Sequence, residues 1–87
     1  MLFKVYRDKE KGYPELGQDF IGEMRARSGR DALARLLLKQ RQEAGEYNQS
    51  VTVAWIGPQR FRATHKTYPE RVVTLYTVKG CRKDAGQ

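Results

Sequence analysis

The chain has 87 residues, enough for one domain with a thin core. Hydrophobic residues make up 39% and aromatics 10%, a globular composition, and no apolar run approaches the roughly 20 residues of a membrane-spanning helix. Seventeen Lys and Arg against ten Asp and Glu leave +7, which points to polyanionic or acidic partners, and the single cysteine excludes an internal disulfide or a cysteine-rich zinc site.

Residues 2–7, Leu-Phe-Lys-Val-Tyr-Arg, alternate and are rich in strand formers. They predict a strand with Phe3 and Val5 on one side and Lys4 and Tyr6 on the other. Lys4 interrupts the apolar start, so no secretory signal is expected and the expected location is cytoplasmic. Residues 8–19 carry charges, Gly12, Pro14 and Gly17 and predict a long loop. Phe20 to Arg27 predicts a second strand. Strict alternation puts Phe20, Gly22, Met24 and Ala26 on one face, with Ile21, Glu23, Arg25 and Arg27 opposite.

Ser28-Gly29-Arg30-Asp31 reads as a helix start. The Ser28 hydroxyl can accept from the Asp31 amide, and an acidic residue suits the positive end of a helix. The helix is expected to run to about Ala44, with Gly45 as a left-handed stop. Ala32, Leu33, Leu36 and Leu37 form its apolar stripe, while Leu38 falls near the outer side. The arrangement of a strand running into Ser28 and then a helix occurs in many small strand-strand-helix modules and transfers no residue roles.

Residues 50–56 predict a strand with Val51, Val53 and Trp55 on one face, ended by Gly57-Pro58. Gln59 to Thr64 predicts a short strand, with Phe61 and Ala63 inward and Arg60 and Arg62 outward. His65 to Glu70, including Pro69, reads as a turn. Arg71 to Lys79 predicts a last strand whose facing is ambiguous. Val72, Tyr76 and Val78 compete with Val73 and Leu75 for the core, a continuity expected of a central strand. The whole predicts an α+β fold, a single helix packed on a mainly antiparallel sheet in the order ββαβββ. Residues 1–79 would form one domain and 80–87 a flexible basic tail.

No sequence pattern of a catalytic or nucleotide-binding loop occurs. His65 has no neighbour in sequence to orient it as a base, and Cys81 sits in the expected tail. The chain is therefore expected to be no enzyme, with no catalytic residues, no metal and no cofactor. Charge is the informative feature. Residues 59–71 hold Arg60, Arg62, Lys66 and Arg71 against Glu70, a net +3. Alternation gathers Lys4, Tyr6, Arg25, Arg27, Arg60, Arg62 and Tyr76 on the sheet face away from the helix. Cations interleaved with aromatic rings suit nucleic acid, because cations neutralise phosphates and rings stack on bases. The expected function is thus a small basic protein that binds nucleic acid or a ribonucleoprotein through this face.

The same cations also serve as a solvated face or as a dock for an acidic protein surface. The alternative function is a protein-protein interaction module: an inhibitor, adaptor or assembly subunit, of phage or mobile-element origin in one version and homodimeric in another. Tyr13, Leu16 and Leu38 are its candidate contacts. Tyr13 and Leu16 would otherwise fold back over the open end of the core.

Overall fold

The computed structural model describes residues 1–45, 50–67 and 70–81. Its elements are β1 (Leu2–Asp8), β2 (Gln18–Arg25), α1 (Gly29–Glu43), β3 (Ser50–Gly57), β4 (Arg60–Thr67) and β5 (Glu70–Cys81). All strand neighbours are antiparallel, in the spatial order β2-β1-β5-β4-β3. This is the α+β arrangement that the ββαβββ pattern implies.

The helix forms where its cap chemistry says it should. Ser28 is extended, and its hydroxyl oxygen accepts from the Asp31 amide at 3.2 Å. Asp31 also pairs with Arg35 one turn on, at 3.0 Å. Gly45, with φ +75°, provides the left-handed exit. Ala32, Leu33, Leu36 and Leu37 face the sheet and are buried with Phe3, Val5, Val53, Phe61, Ala63, Tyr76 and Val78. Leu33 and Val5 are wholly enclosed, each worth about 1.5–3 kcal/mol of burial. The helix settles closely because β2 has no side chain at Gly22. A Cβ there would lie 3.3 Å from Leu36 Cδ1.

β5 is the central strand, which explains its apolar continuity. Tyr76 and Val78 are buried under the helix, whereas Val73 and Leu75 are half-buried on the other face. Its ladders are staggered. Residues 76–81 pair with β1 and residues 70–77 pair with β4.

Four expectations are corrected. β1 continues through Asp8 and β2 begins at Gln18, so the intervening loop is shorter and holds a single 3-10 turn, Pro14–Leu16. β2 carries a bulge: Val5 pairs with Gly22 and Tyr6 with Phe20, leaving Ile21 as an extra residue. That insertion reverses the alternation before it. Ile21 packs against the core, and Phe20 shares the helix-free face with Tyr6 instead of the Met24 face. His65, Lys66 and Thr67 belong to β4 and pair with Val72, Arg71 and Glu70, so the expected turn over 65–70 is too long. Ladder pairing outweighs the turn-like composition there; Tyr68 and Pro69 lie outside the described residues. Gly80 and Cys81 extend β5 against Phe3 and Leu2 rather than starting a tail. The remainder of the expected tail, residues 82–87, lies outside the described residues.

The β3–β4 connection holds one strained residue. Pro58 precedes Gln59, whose φ is +61°. A proline followed by a positive φ is the type II pattern, in which glycine is favoured at the second position. The turn is anchored because the Gln59 carbonyl accepts from the Val78 amide at 2.8 Å. Replacing Gln59 with glycine removes the left-handed Cβ clash of about 1–2 kcal/mol and adds a smaller entropy to the unfolded chain. Gln59→Gly is therefore expected to stabilise the protein by up to about 1 kcal/mol. Urea denaturation of the variant beside the parent chain measures this.

Candidate nucleic-acid interface

α1 packs on one side of the sheet, so alternation decides what the other side shows. With Phe3 and Val5 in the core, β1 turns Lys4, Tyr6 and Asp8 to the helix-free face. β4 contributes Arg60, Arg62, Thr64 and Lys66, because Phe61 and Ala63 point inward. β5 contributes Arg71, Val73, Leu75, Thr77 and Lys79. β2 adds Phe20 and, beyond its bulge, Glu23 and Arg25.

The middle of this face is a polar knot. The Asp8 carboxylate is fully shielded, and the Arg60 side chain is 19% exposed. The guanidinium donates from Nη2 to Asp8 Oδ2 at 2.6 Å and from Nη1 to Asp8 Oδ1 at 2.7 Å, a two-pronged pair. Gln18 Nε2 donates to Asp8 Oδ1 at 3.0 Å, and the Gly12 amide donates to Oδ2 at 3.1 Å. The Thr77 hydroxyl oxygen accepts from Gln18 at 2.7 Å and from Arg60 at 2.8 Å. The Arg60 hydrogen bond holds the Asp8 carboxyl below the usual carboxylate range despite burial, with Gln18 and Gly12 helping. The same carboxylate raises the Arg60 pKa. Arg60 is thus committed to Asp8 rather than free for phosphate.

Beside the knot lies an aromatic pair. The rings of Tyr6 and Phe20 sit 5.5 Å apart, tilted at 59°. The Lys79 ammonium lies 5.5 Å from the Tyr6 ring centre, a cation–π contact. Lys79 stands directly opposite Lys4, and Lys66 directly opposite Arg71, in their ladders. Like charges facing one another across a ladder cost stability.

Of the residues the sequence points to, Lys4, Tyr6, Arg25 and Arg62 do share this face. Arg60 shares it but is paired. Arg27 follows β2 in the connection to α1, exposed but off the sheet. Tyr76 is corrected outright: it is 4% exposed on the helix side, and desolvation raises the pKa of its hydroxyl. Tyr13 and Leu16 are exposed rather than folded over the core, and Leu38 is exposed on the outer helix face. Phe20, Lys66, Arg71 and Lys79 join the face unforeseen. Counting outward from Tyr76 and Val78 as core residues would have placed Lys79 and Arg71; the bulge that turns Phe20 leaves no such trace.

Among the described residues, no group of three His, Cys, Asp or Glu side chains is placed to hold a metal ion. No helix among them is long and apolar enough to cross a membrane. No family model, curated protein or solved structure matches the chain.

Removing one partner of a shielded, hydrogen-bonded ion pair strands the other. Asp8→Ala is expected to lower the unfolding free energy by about 3 kcal/mol, measured by urea denaturation at neutral pH. The pH dependence has a definite sign. The folded pKa of Asp8 is depressed, so its contribution is complete above about pH 4 and disappears as pH falls through the folded value. Stability of the parent chain should therefore drop, as pH falls below about 4, by more than that of Asp8→Asn. Parallel acid limbs for the two proteins would contradict this.

Proposed function

We propose that this chain binds nucleic acid through the helix-free face of its sheet. One observation supports the reading above the others. Lys4, Arg62, Lys66, Arg71 and Lys79 line that face without an ion-pair partner among the described residues, and an aromatic pair, Tyr6 and the exposed Phe20, lies beside Lys4 and Lys79. The Lys66–Arg71 contact sets like charges against each other, a cost that an anionic partner would reverse, whereas Glu23 stands opposite Lys4 and offsets the Lys4–Lys79 contact. Arg71 and Lys79 are eight residues apart on β5, a span of about 26 Å at ~3.3 Å per residue. That length suits several nucleotides of an extended backbone.

Fluorescence anisotropy against labelled single-stranded RNA, duplex RNA and duplex DNA, each across a salt series, tests the proposal. Five phosphate contacts predict a log–log salt slope of about −3.5 on a single strand and about −4.5 on duplex DNA. The double variant Arg62→Glu, Lys79→Glu replaces exposed side chains and should keep the fold. It is expected to bind at least about tenfold more weakly, with a flatter slope. Unchanged binding by the folded variant would exclude this face.

A homodimer is the second reading, and it rests on a different edge of the sheet. β3 is an edge strand with no charged residue and no proline, whereas the other edge, β2, holds Asp19, Glu23, Arg25 and a bulge. Charges and bulges guard an edge against pairing. Trp55 is 66% exposed and Ile56 45% exposed on the unguarded strand. Antiparallel pairing of two β3 strands about Val53 would set Trp55 of each copy against Val51 of the other, a favourable aromatic–branched pair. The two β4 strands would then lie about 14 Å apart, beyond the ~8 Å screening length, so their cations tolerate the union. Arg30, which donates from Nε to the Val53 carbonyl at 3.2 Å, would have to swing aside. Sedimentation equilibrium should show a dimer for the parent chain and a monomer for Trp55→Lys. A parent chain that stays monomeric at high concentration ends this reading.

A further inference from the structure

The two rings of the aromatic pair are not equally placed. Tyr6 is half-buried in β1, with Lys79 over its ring and Phe20 against it. Phe20 stands on the edge strand β2, next to the bulge, and is 55% exposed. Its side chain has no hydrogen-bonding group, so it contributes nothing to holding phosphates. What it offers toward a ligand is the face of a ring. The bulge that turns Phe20 outward is the kind of ladder defect that re-aims a side chain.

Bases in a duplex are stacked on each other and show only their edges; unpaired bases show their faces. α1, the only long helix among the described residues, packs on the opposite side of the sheet, so this face presents no helix to a groove. Lys4 lies diagonally from Phe20 across the β1–β2 ladder, and Lys79 stands beside Lys4. Both ammonium groups lie on the inner side of the Phe20 ring, toward β5, where the backbone of a stacked base can reach them. Resting on the nucleic-acid reading, we infer that the ligand is single-stranded and that Phe20 stacks on one of its bases while Lys4 and Lys79 hold the neighbouring phosphates.

The test compares a labelled oligouridylate of about twelve nucleotides with an RNA duplex of similar length at one salt concentration. The parent chain should prefer the single strand by at least about tenfold. Phe20→Ala should weaken single-strand binding by about tenfold, leave duplex binding unchanged and keep the salt slope, because no charge is removed. Phe20→Trp should restore the loss. If Phe20→Ala disturbs the fold, Phe20→Leu keeps an apolar contact to Tyr6 without the ring and should show the same selective loss.

Two failures are distinguishable. A parent chain that binds neither probe, or whose binding ignores Arg62→Glu, Lys79→Glu, overturns the nucleic-acid reading itself. Binding that depends on those cations yet is indifferent to Phe20→Ala and Phe20→Leu, or that treats duplex and single strand alike, overturns only the stacking inference.

Discussion

The ion pair between Asp8 and Arg60 ties the two halves of the sheet to each other across β5, in addition to the backbone ladders. β1 and β4 are not neighbours; β5 runs between them. Because the ladders are staggered, only Tyr76 and Thr77 of β5 pair with both. At that narrow waist the chain uses both faces. Tyr76 fills the core beneath α1, and on the opposite side Arg60 reaches past Thr77 to Asp8. A single hydrogen-bonded knot thus joins the N-terminal hairpin to the C-terminal strands. It also closes the loop between β1 and β2, through Gly12 and Gln18.

This constraint shapes the electrostatics of the helix-free face. Arg60 stands on the exposed side of the sheet by alternation, but its charge is neutralised by Asp8 and it is largely covered. The outward positive field therefore comes from residues around the knot. Lys4 and Lys79 lie toward one end of β5, Arg62 beside its middle, and Lys66 and Arg71 toward the other end. The half-buried Val73 and Leu75 lie in the same row as these cations, so the face is a charged rim over apolar ground. Solvated faces ordinarily separate like charges; here two pairs are set directly opposite, and only Lys4–Lys79 has an acidic residue, Glu23, across the adjoining ladder.

The parts of this structure legible in the sequence are those set by local chemistry. Ser28, Asp31 and Gly45 mark the helix because capping and left-handed exit act over a few residues. The period-two pattern of Val51, Val53 and of Phe61, Ala63 marks core positions because burial acts through alternation. Other features depend on partners distant in sequence. Asp8 and Arg60 are 52 positions apart, and nothing local distinguishes a paired arginine from a free one. The sequence leaves the facing of β5 ambiguous because a central strand is apolar on both sides. His65 and Lys66 have turn-like neighbours, yet β5 offers them a ladder.

The bulge in β2 shows how closely core and surface are tied. One inserted residue, Ile21, does two things at once. It adds apolar packing at the margin of the core, where Gly22 lets Leu36 approach. It also shifts Phe20 to the face where Tyr6 and Lys79 stand. A β2 strand of regular alternation would have directed Phe20 toward the helix and left Tyr6 without an aromatic neighbour. The aromatic–cation cluster is therefore a consequence of how the helix is seated: the irregularity that fits the sheet to α1 also sets the chemistry of the opposite face.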